Sequence, residues 1–179
     1  PATVTDAQGN TSCYRYDVRG RKVAEWGTGI QPVMFGYDDA DRMVTLTTFR
    51  CPDEVITTDP SERTEKDVTT WSYHDASGLE TAKTYADNLS VVKTYDAYNR
   101  VLTETDARGN IKTHTYEHAR GLLLGITYSD STTPRAYIYN HLGHLSQVTD
   151  AAGVRTLGYN AYGEQESDSL VADGVMLQS

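Results

Sequence analysis

The chain reads as a succession of short segments in which apolar or aromatic positions alternate with polar ones. Ile111-Lys-Thr-His-Thr-Tyr116 and Arg135-Ala-Tyr-Ile-Tyr139 are two of them, and clusters of Asp, Asn and Gly separate each from the next. Alternation is the period of a strand, whose successive side chains point to opposite faces of a sheet. Apolar spacing of the helical kind is nearly absent over any window of about eleven residues. Segments of this length with turn chemistry between them predict an all-β fold. The expected form is a continuous antiparallel hairpin meander of roughly 14 short strands.

The turns recur in register. Tyr-Asp followed four residues later by Arg occurs at Tyr16-Asp17 with Arg21, at Tyr37-Asp38 with Arg42, and at Tyr95-Asp96 with Arg100. Weaker copies stand at Tyr73-His74, Tyr116-Glu117, Tyr139-Asn140 and Tyr159-Asn160. Successive tyrosines are 21, 36, 22, 21, 23 and 20 residues apart, so all but one interval lies near 21. A fixed period of this size marks a repeat array. We therefore expect one array over residues 1–179, of about seven copies, with an insertion at about 48–70.

Each copy carries two turn signals. The first follows the tyrosine: Asp or Asn opens it, and Gly20, Asp41, Asn99, Gly143 or Gly163 closes it where positive φ is wanted. The second is Thr-Asp-Ala-x-Gly, at Thr5, Thr105 and Thr149. Six residues after most anchoring tyrosines stands an apolar residue (Met43, Leu79, Val101, Leu122, Leu145), expected to face the tyrosine across its hairpin. The insertion is expected to form an extended hairpin or loop with a solvated charged tip, and Val55-Ile-Thr57 is a candidate extra strand.

Composition refines this picture modestly. Thirteen tyrosines against two phenylalanines suit sheets with one wet face. The formal net charge of −9 argues against a nucleic-acid groove, which needs a basic stripe. No apolar run approaches the roughly 18 residues of a membrane helix. Cys13 and Cys51 lie in different repeats, and the sequence leaves open whether they are joined.

Candidate chemistry is sparse. His141-x-x-His144 and His114-x-x-x-His118 have spacings that a metal site uses, but a strand and turn do not bring three or four ligands together. Asp6, Asp106 and Asp150 suggest calcium, yet one turn supplies too few oxygens and turn formation accounts for them. Glu164 with Glu166, or Asp38 with Asp39, read as surface carboxylates. No catalytic, cofactor or metal residue is assigned. The residues singled out are structural: Tyr16, Asp17, Gly20, Arg21, Tyr37, Asp38, Arg42, Tyr73, Tyr95, Asp96, Arg100, Tyr116, Tyr139, Asn140, Gly143, Tyr159, Asn160 and Gly163. Each Asp is expected to pair with its Arg across the turn or with the next repeat, as an exposed pair of small worth. The tyrosines are expected to pack strand on strand, with stacking on a sugar or partner protein as the alternative.

Tyr14-Arg-Tyr-Asp-Val-Arg-Gly-Arg21, together with the Thr-Asp-x-x-Gly turns, resembles the Rhs/YD-repeat family. Tyr95-Asp-Ala-Tyr-Asn-Arg-Val-Leu-Thr103 and Tyr137-Ile-Tyr-Asn-His-Leu-Gly-His-Leu145 are close variants, and only the insertion falls outside the likeness. The resemblance implies a segment of a hollow shell in which hairpins wind into a spiral sheet. It implies a location outside the cell or at its surface, and partners in the remainder of the shell and an enclosed or neighbouring polypeptide such as a toxin. An adhesive module that binds a glycan or protein is the alternative, as in the teneurin-like members. Seven copies are too few to close such a shell, so the chain is expected to be a piece of a longer array. The self-cleaving aspartates of bacterial members have no match here, and no proteolytic activity is carried over.

Overall fold

The computed structural model describes residues 2–50, 58–172 and 175–178. It is all-β apart from one 3-10 turn at Pro60–Glu62. The strands are β1 (Ala2–Thr5), β2 (Thr11–Tyr16), β3 (Lys22–Gly27), β4 (Val33–Tyr37), β5 (Met43–Phe49), β6 (Lys66–Tyr73), β7 (Glu80–Thr84) and β8 (Ser90–Tyr95). They continue as β9 (Val101–Thr105), β10 (Ile111–Tyr116), β11 (Leu123–Tyr128), β12 (Arg135–Tyr139), β13 (Leu145–Asp150), β14 (Gly153–Tyr159), β15 (Gln165–Ala172) and β16 (Val175–Gln178). Strand order is sequence order, and neighbours run antiparallel: the expected meander. Seven strands end on an anchoring tyrosine and seven follow them, which accounts for the expected 14. β1 and β16 are additional. The chain forms two compact units, Pro1–Val91 and Val92–Ser179, with the division inside β8.

The turn after each tyrosine sets the local geometry. The Asp17 amide donates to the Arg21 carbonyl at 2.9 Å, and the Gly20 amide donates to the Asp17 carbonyl at 3.1 Å. This is a three-residue hairpin loop closed by a left-handed residue, which leaves a bulge at the strand end. The closing residue has φ of 80° at Gly20, 63° at Asp41, 62° at Asn99, 88° at Gly143 and 82° at Gly163. Next to the tyrosine the register shifts, which skips one residue of the following strand (Val23, Val44, Leu102, Ser146 and Glu166), and the tyrosine faces the residue six positions on: Tyr16 faces Lys22, Tyr37 Met43, Tyr95 Val101, Tyr139 Leu145 and Tyr159 Gln165.

Two hairpins depart from the six-residue rule. Tyr73 faces Glu80 and Tyr116 faces Leu123, in place of Leu79 and Leu122. In both, the glycine comes one residue later. The Gly78 and Gly121 amides reach back four residues to the His74 and Glu117 carbonyls, so each loop is one residue longer and the partner moves with it.

Burial is thin. Ala24, Trp26 and Phe49 form a buried apolar cluster in the first unit, with Cys13 and Met34 packed beside them. Cross-strand pairing puts Cys13 with Trp26, Arg15 with Ala24, and Ala24 with Met34, so these side chains share one face. The insertion covers part of it. β5 and β6 pair from Thr45 with Thr70 as far as Phe49 with Lys66, so both ends of the expected insertion are regular strand. Val55-Ile-Thr57 and Cys51 lie outside the described residues. Beyond them Glu62, Thr64, Glu65 and Lys66 are exposed, as expected of the charged segment, but Asp59 and Pro60 are held to the sheet. Asp59 caps the 3-10 turn, accepting from the Ser61 amide at 3.0 Å, and its other oxygen accepts from Arg15 Nη1 at 2.7 Å. Pro60 is fully buried, and the turn packs on β4. An apolar patch gains by drawing this segment back over itself.

The turn geometry gives a direct expectation. No neighbouring atom obstructs a side chain at Gly20, so a substitution there is limited by its positive φ alone. Gly20→Ala is expected to lower stability by about 1 kcal/mol. Gly20→Asn is expected to cost less, because asparagine tolerates this conformation and Asn99 already adopts it. Urea unfolding of both variants checks the order.

Candidate functional site

The repeated residues meet in a seam between successive hairpins, built outward from the turn aspartate. Asp17 Oδ1 accepts from the amides of Arg19 and Arg21, each at 2.9 Å, and Oδ2 accepts from Arg21 Nε at 2.7 Å. Asp38 repeats this with Ala40 and Arg42, and Asp96 with Tyr98 and Arg100. One carboxylate thus satisfies the turn's amides and fixes the arginine's direction. These pairs are more sheltered than the sequence suggested: the Asp side chains are 19 to 23 % exposed and the Arg side chains 23 to 29 %.

The arginine then lies over the tyrosine of the following hairpin. The guanidinium carbon is 4.7 Å from the ring centre for Arg21 over Tyr37, 4.6 Å for Arg42 over Tyr73 and 4.4 Å for Arg100 over Tyr116. A cation over a ring face is attracted by the negative π cloud. The same tyrosines donate their hydroxyls to the backbone of the preceding hairpin: Tyr37 to the Lys22 carbonyl at 3.1 Å, Tyr73 to Met43 at 2.7 Å and Tyr116 to Val101 at 2.9 Å. Tyr159 donates to Leu145 at 2.8 Å, and there the ring lying over the tyrosine is His144, 4.9 Å away. In the first seam, Arg21 Nη1 also reaches the next turn, at the Asp38 carbonyl (3.1 Å) and Asp41 Oδ1 (2.5 Å).

The remaining singled-out residues fall around this arrangement. Asn140 and Asn160 accept turn amides as the aspartates do, from Leu142 and His144 and from Tyr162 and Glu164. Tyr139 is half-buried, and burial, with Tyr137 beside it, pushes its hydroxyl above the ordinary range. Tyr95 is half-buried as well, and Tyr16 is 51 % exposed. The motif showed the tyrosine, aspartate and arginine but not the acceptor, the carbonyl one residue after each arginine or His144. Backbone carbonyls carry no side-chain signature. The only sequence clue is that 16 residues separate Arg21 from Tyr37 and Arg100 from Tyr116, while the insertion lengthens the interval from Arg42 to Tyr73 to 31.

Electrostatics follow the same contacts. Asp38 is held below the usual carboxylate range by the Arg42 amide, which outweighs burial, and then by the guanidinium. Burial pushes Asp17 and Asp96 upward, but hydrogen bonds from Arg21 and from Arg100 prevail and both end below that range. Asp6 and Asp106 are lowered chiefly by the side chains of Asn10 and Asn110, which each carboxylate binds within its own turn. Among the described residues no group of three His, Cys, Asp or Glu side chains is placed to hold a metal ion. His114 lies near the Tyr116 ring and His118 meets Tyr98 edge-on, so that pair serves two different rings. Glu164 accepts from Asn160 Nδ2 at 2.8 Å. The seam also limits which tyrosines are free. The hydroxyls of Tyr37, Tyr73, Tyr116 and Tyr159 are engaged, whereas Tyr98 and Tyr162, at the tips of their turns, are 64 % and 91 % exposed.

No family model matches this chain, and no curated protein matches it. Solved structures with a similar strand arrangement include TcdB2-TccC3-Cdc42, at 16 % identity and a TM-score of 0.47 over 97 % of this chain. TcdB2-TccC3-TEV aligns at 16 % identity and a TM-score of 0.45 over 96 % of this chain. The Tc holotoxin pore of Photorhabdus luminescens aligns at 14 % identity and 0.43 over 95 %. This chain spans 12 % of the length of each of those chains. The meander rests on its own hydrogen bonding, and alignments at these values add no argument to it.

Two outcomes are expected of the seam. Tyr116→Phe removes one hydroxyl donated to a carbonyl and should lower stability by about 1 kcal/mol. Tyr98→Phe, at an exposed tip, should stay within about 0.5 kcal/mol. Equal losses would remove the seam's role. The second outcome concerns acid. A carboxylate whose folded pKa lies below the ordinary 3.8 gives stability that is fully present above that value and lost as pH falls through the folded one. Asp96→Asn keeps an acceptor for the turn amides but loses the charge. Its stability should therefore fall less than that of the parent as pH is lowered through about 4, as read by urea midpoints.

Proposed function

We propose that the chain is a non-enzymatic wall segment of an Rhs/YD-repeat β-shell, one that encloses or displays a toxin or other polypeptide outside the producing cell. The observation that carries this reading is the seam: the same cation–ring–carbonyl contact joins consecutive hairpins at Tyr37, Tyr73 and Tyr116, with His144 in the cation's place at Tyr159. The second hairpin both receives this contact, at Tyr37, and offers it, from Arg42, as extension of a sheet requires. The burial agrees. Beside the prolines Pro32 and Pro60, the buried apolar side chains among the described residues are Ala24, Trp26, Phe49 and Ile126, which is little for a chain of this length and fits a thin wall. The acidic balance disfavours nucleic acid as the contents.

A second reading has its own observation. Tyr98 and Tyr162 stand at the tips of their turns, 64 % and 91 % exposed, as an adhesive surface for a glycan or a protein would require, although the Tyr98 ring also lies 5.1 Å from the Arg100 guanidinium.

Limited proteolysis of the intact native protein separates the two. A shell wall is expected to leave a second polypeptide, or a segment outside the array, uncut until the array itself is opened by Arg100→Ala. If that polypeptide is cut as fast in the native protein as in isolation, enclosure is wrong. An adhesive module instead predicts saturable binding to cells that is lost in Tyr98→Ala with Tyr162→Ala and unaffected by opening the array.

A further inference from the structure

The position two residues before an anchoring tyrosine is apolar or aromatic in most copies: Tyr14, Phe35, Trp71, Tyr137 and Leu157. In the second unit His114 occupies it, and the structure treats the imidazole as it would an aromatic ring. His114 faces Ile126 directly across the β10–β11 pair, and Ile126 is only 7 % exposed. The imidazole lies 6.3 Å from the Tyr116 ring and within 16° of parallel to it. Its Nδ1 is buried and has no hydrogen-bond partner. Tyr116 is the seam tyrosine that carries Arg100 on its face and donates to Val101. A titratable, half-buried ring thus sits with its unpartnered nitrogen buried against the contact that joins two hairpins.

We propose that His114 is an acid-sensitive joint: on mild acidification its imidazole takes up a proton that this position cannot accommodate, and the seam at Tyr116 loosens. The protonated ring has two N–H donors. At this position Nδ1–H would be a buried donor with no acceptor, which costs the full desolvation of that group. The charged groups around it do not compensate. Lys112 is on the same strand two residues away. Glu104, the nearest acid across the sheet on β9, faces both Lys112 and Lys93 of β8. On the other side Ile126 is apolar, and Arg135 of β12 stands across from it. Burial and then Lys112 hold the imidazole below its ordinary 6.5, against weaker opposition from Glu104 and the Leu102 backbone. A base lowered in this way binds fewer protons folded than unfolded. Its stability is therefore intact above about 6.5 and is lost as pH falls through that value towards the folded one.

The test uses the 179-residue chain. The His114 ring proton is followed by NMR from about pH 8 to about pH 5, and urea unfolding is measured at both ends. His114→Phe places at this position the residue type that Phe35 provides in the first unit, so it is expected to fold. In the parent chain His114 should titrate below about 6.5, and the unfolding constant should rise about tenfold on acidification for each unit of that depression. His114→Phe should lack this part of the rise, while the other histidines leave the remainder unchanged. If His114 titrates at or above about 6.5, or if parent and variant lose the same stability on acidification, the proposal is overturned.

Discussion

An arginine is a long side chain with many conformations, and laying it over a ring in the next hairpin would ordinarily cost much of that freedom. Here the aspartate four residues earlier has already taken the guanidinium in hand, while its other oxygen holds two turn amides. The arginine is therefore aimed before the tyrosine arrives. The tyrosine adds a hydroxyl that fixes its own ring against the earlier backbone. Every strand pair also has its ladder bonds, but those are indifferent to register along the strand. The turn, the arginine and the ring together set which residue meets which, and so set the faces of the sheet.

Much of this was legible in the sequence. The meander and its hairpin turns followed from alternation and turn chemistry, because Asp at the start and Gly or Asn at the end of a tight loop have local physical causes. What escaped was non-local or backbone-borne. The facing partners of Tyr73 and Tyr116 moved by one residue because Gly78 and Gly121 come one position later in their loops, a difference that the six-residue rule passed over. The carbonyl acceptors left no trace in side-chain pattern. The shelter of the Asp–Arg pairs also depends on the neighbouring hairpin, which a single motif does not show.

The insertion illustrates the same limit. Its charged composition suggests a loop in water, yet Asp59 and Pro60 return to the sheet, where Arg15 and an apolar patch of Trp26, Phe49 and Met34 await them. Charge in a sequence says what a segment tolerates, and the face beneath decides whether it stays in solvent. One proline and one ion pair are enough to give the first unit a small two-sided core where a sheet alone would have none.

The seam has a direction. In every instance the tyrosine comes from the later hairpin, and the cation and carbonyl from the earlier one. Chains emerge from the ribosome in that same order, at about 5–20 residues per second. A later hairpin that carries such a tyrosine thus meets a template synthesised before it. Such a sheet zips along behind its own synthesis through contacts that are local in sequence. The period of about 21 residues is then also a rhythm of assembly, with one docking step every few seconds.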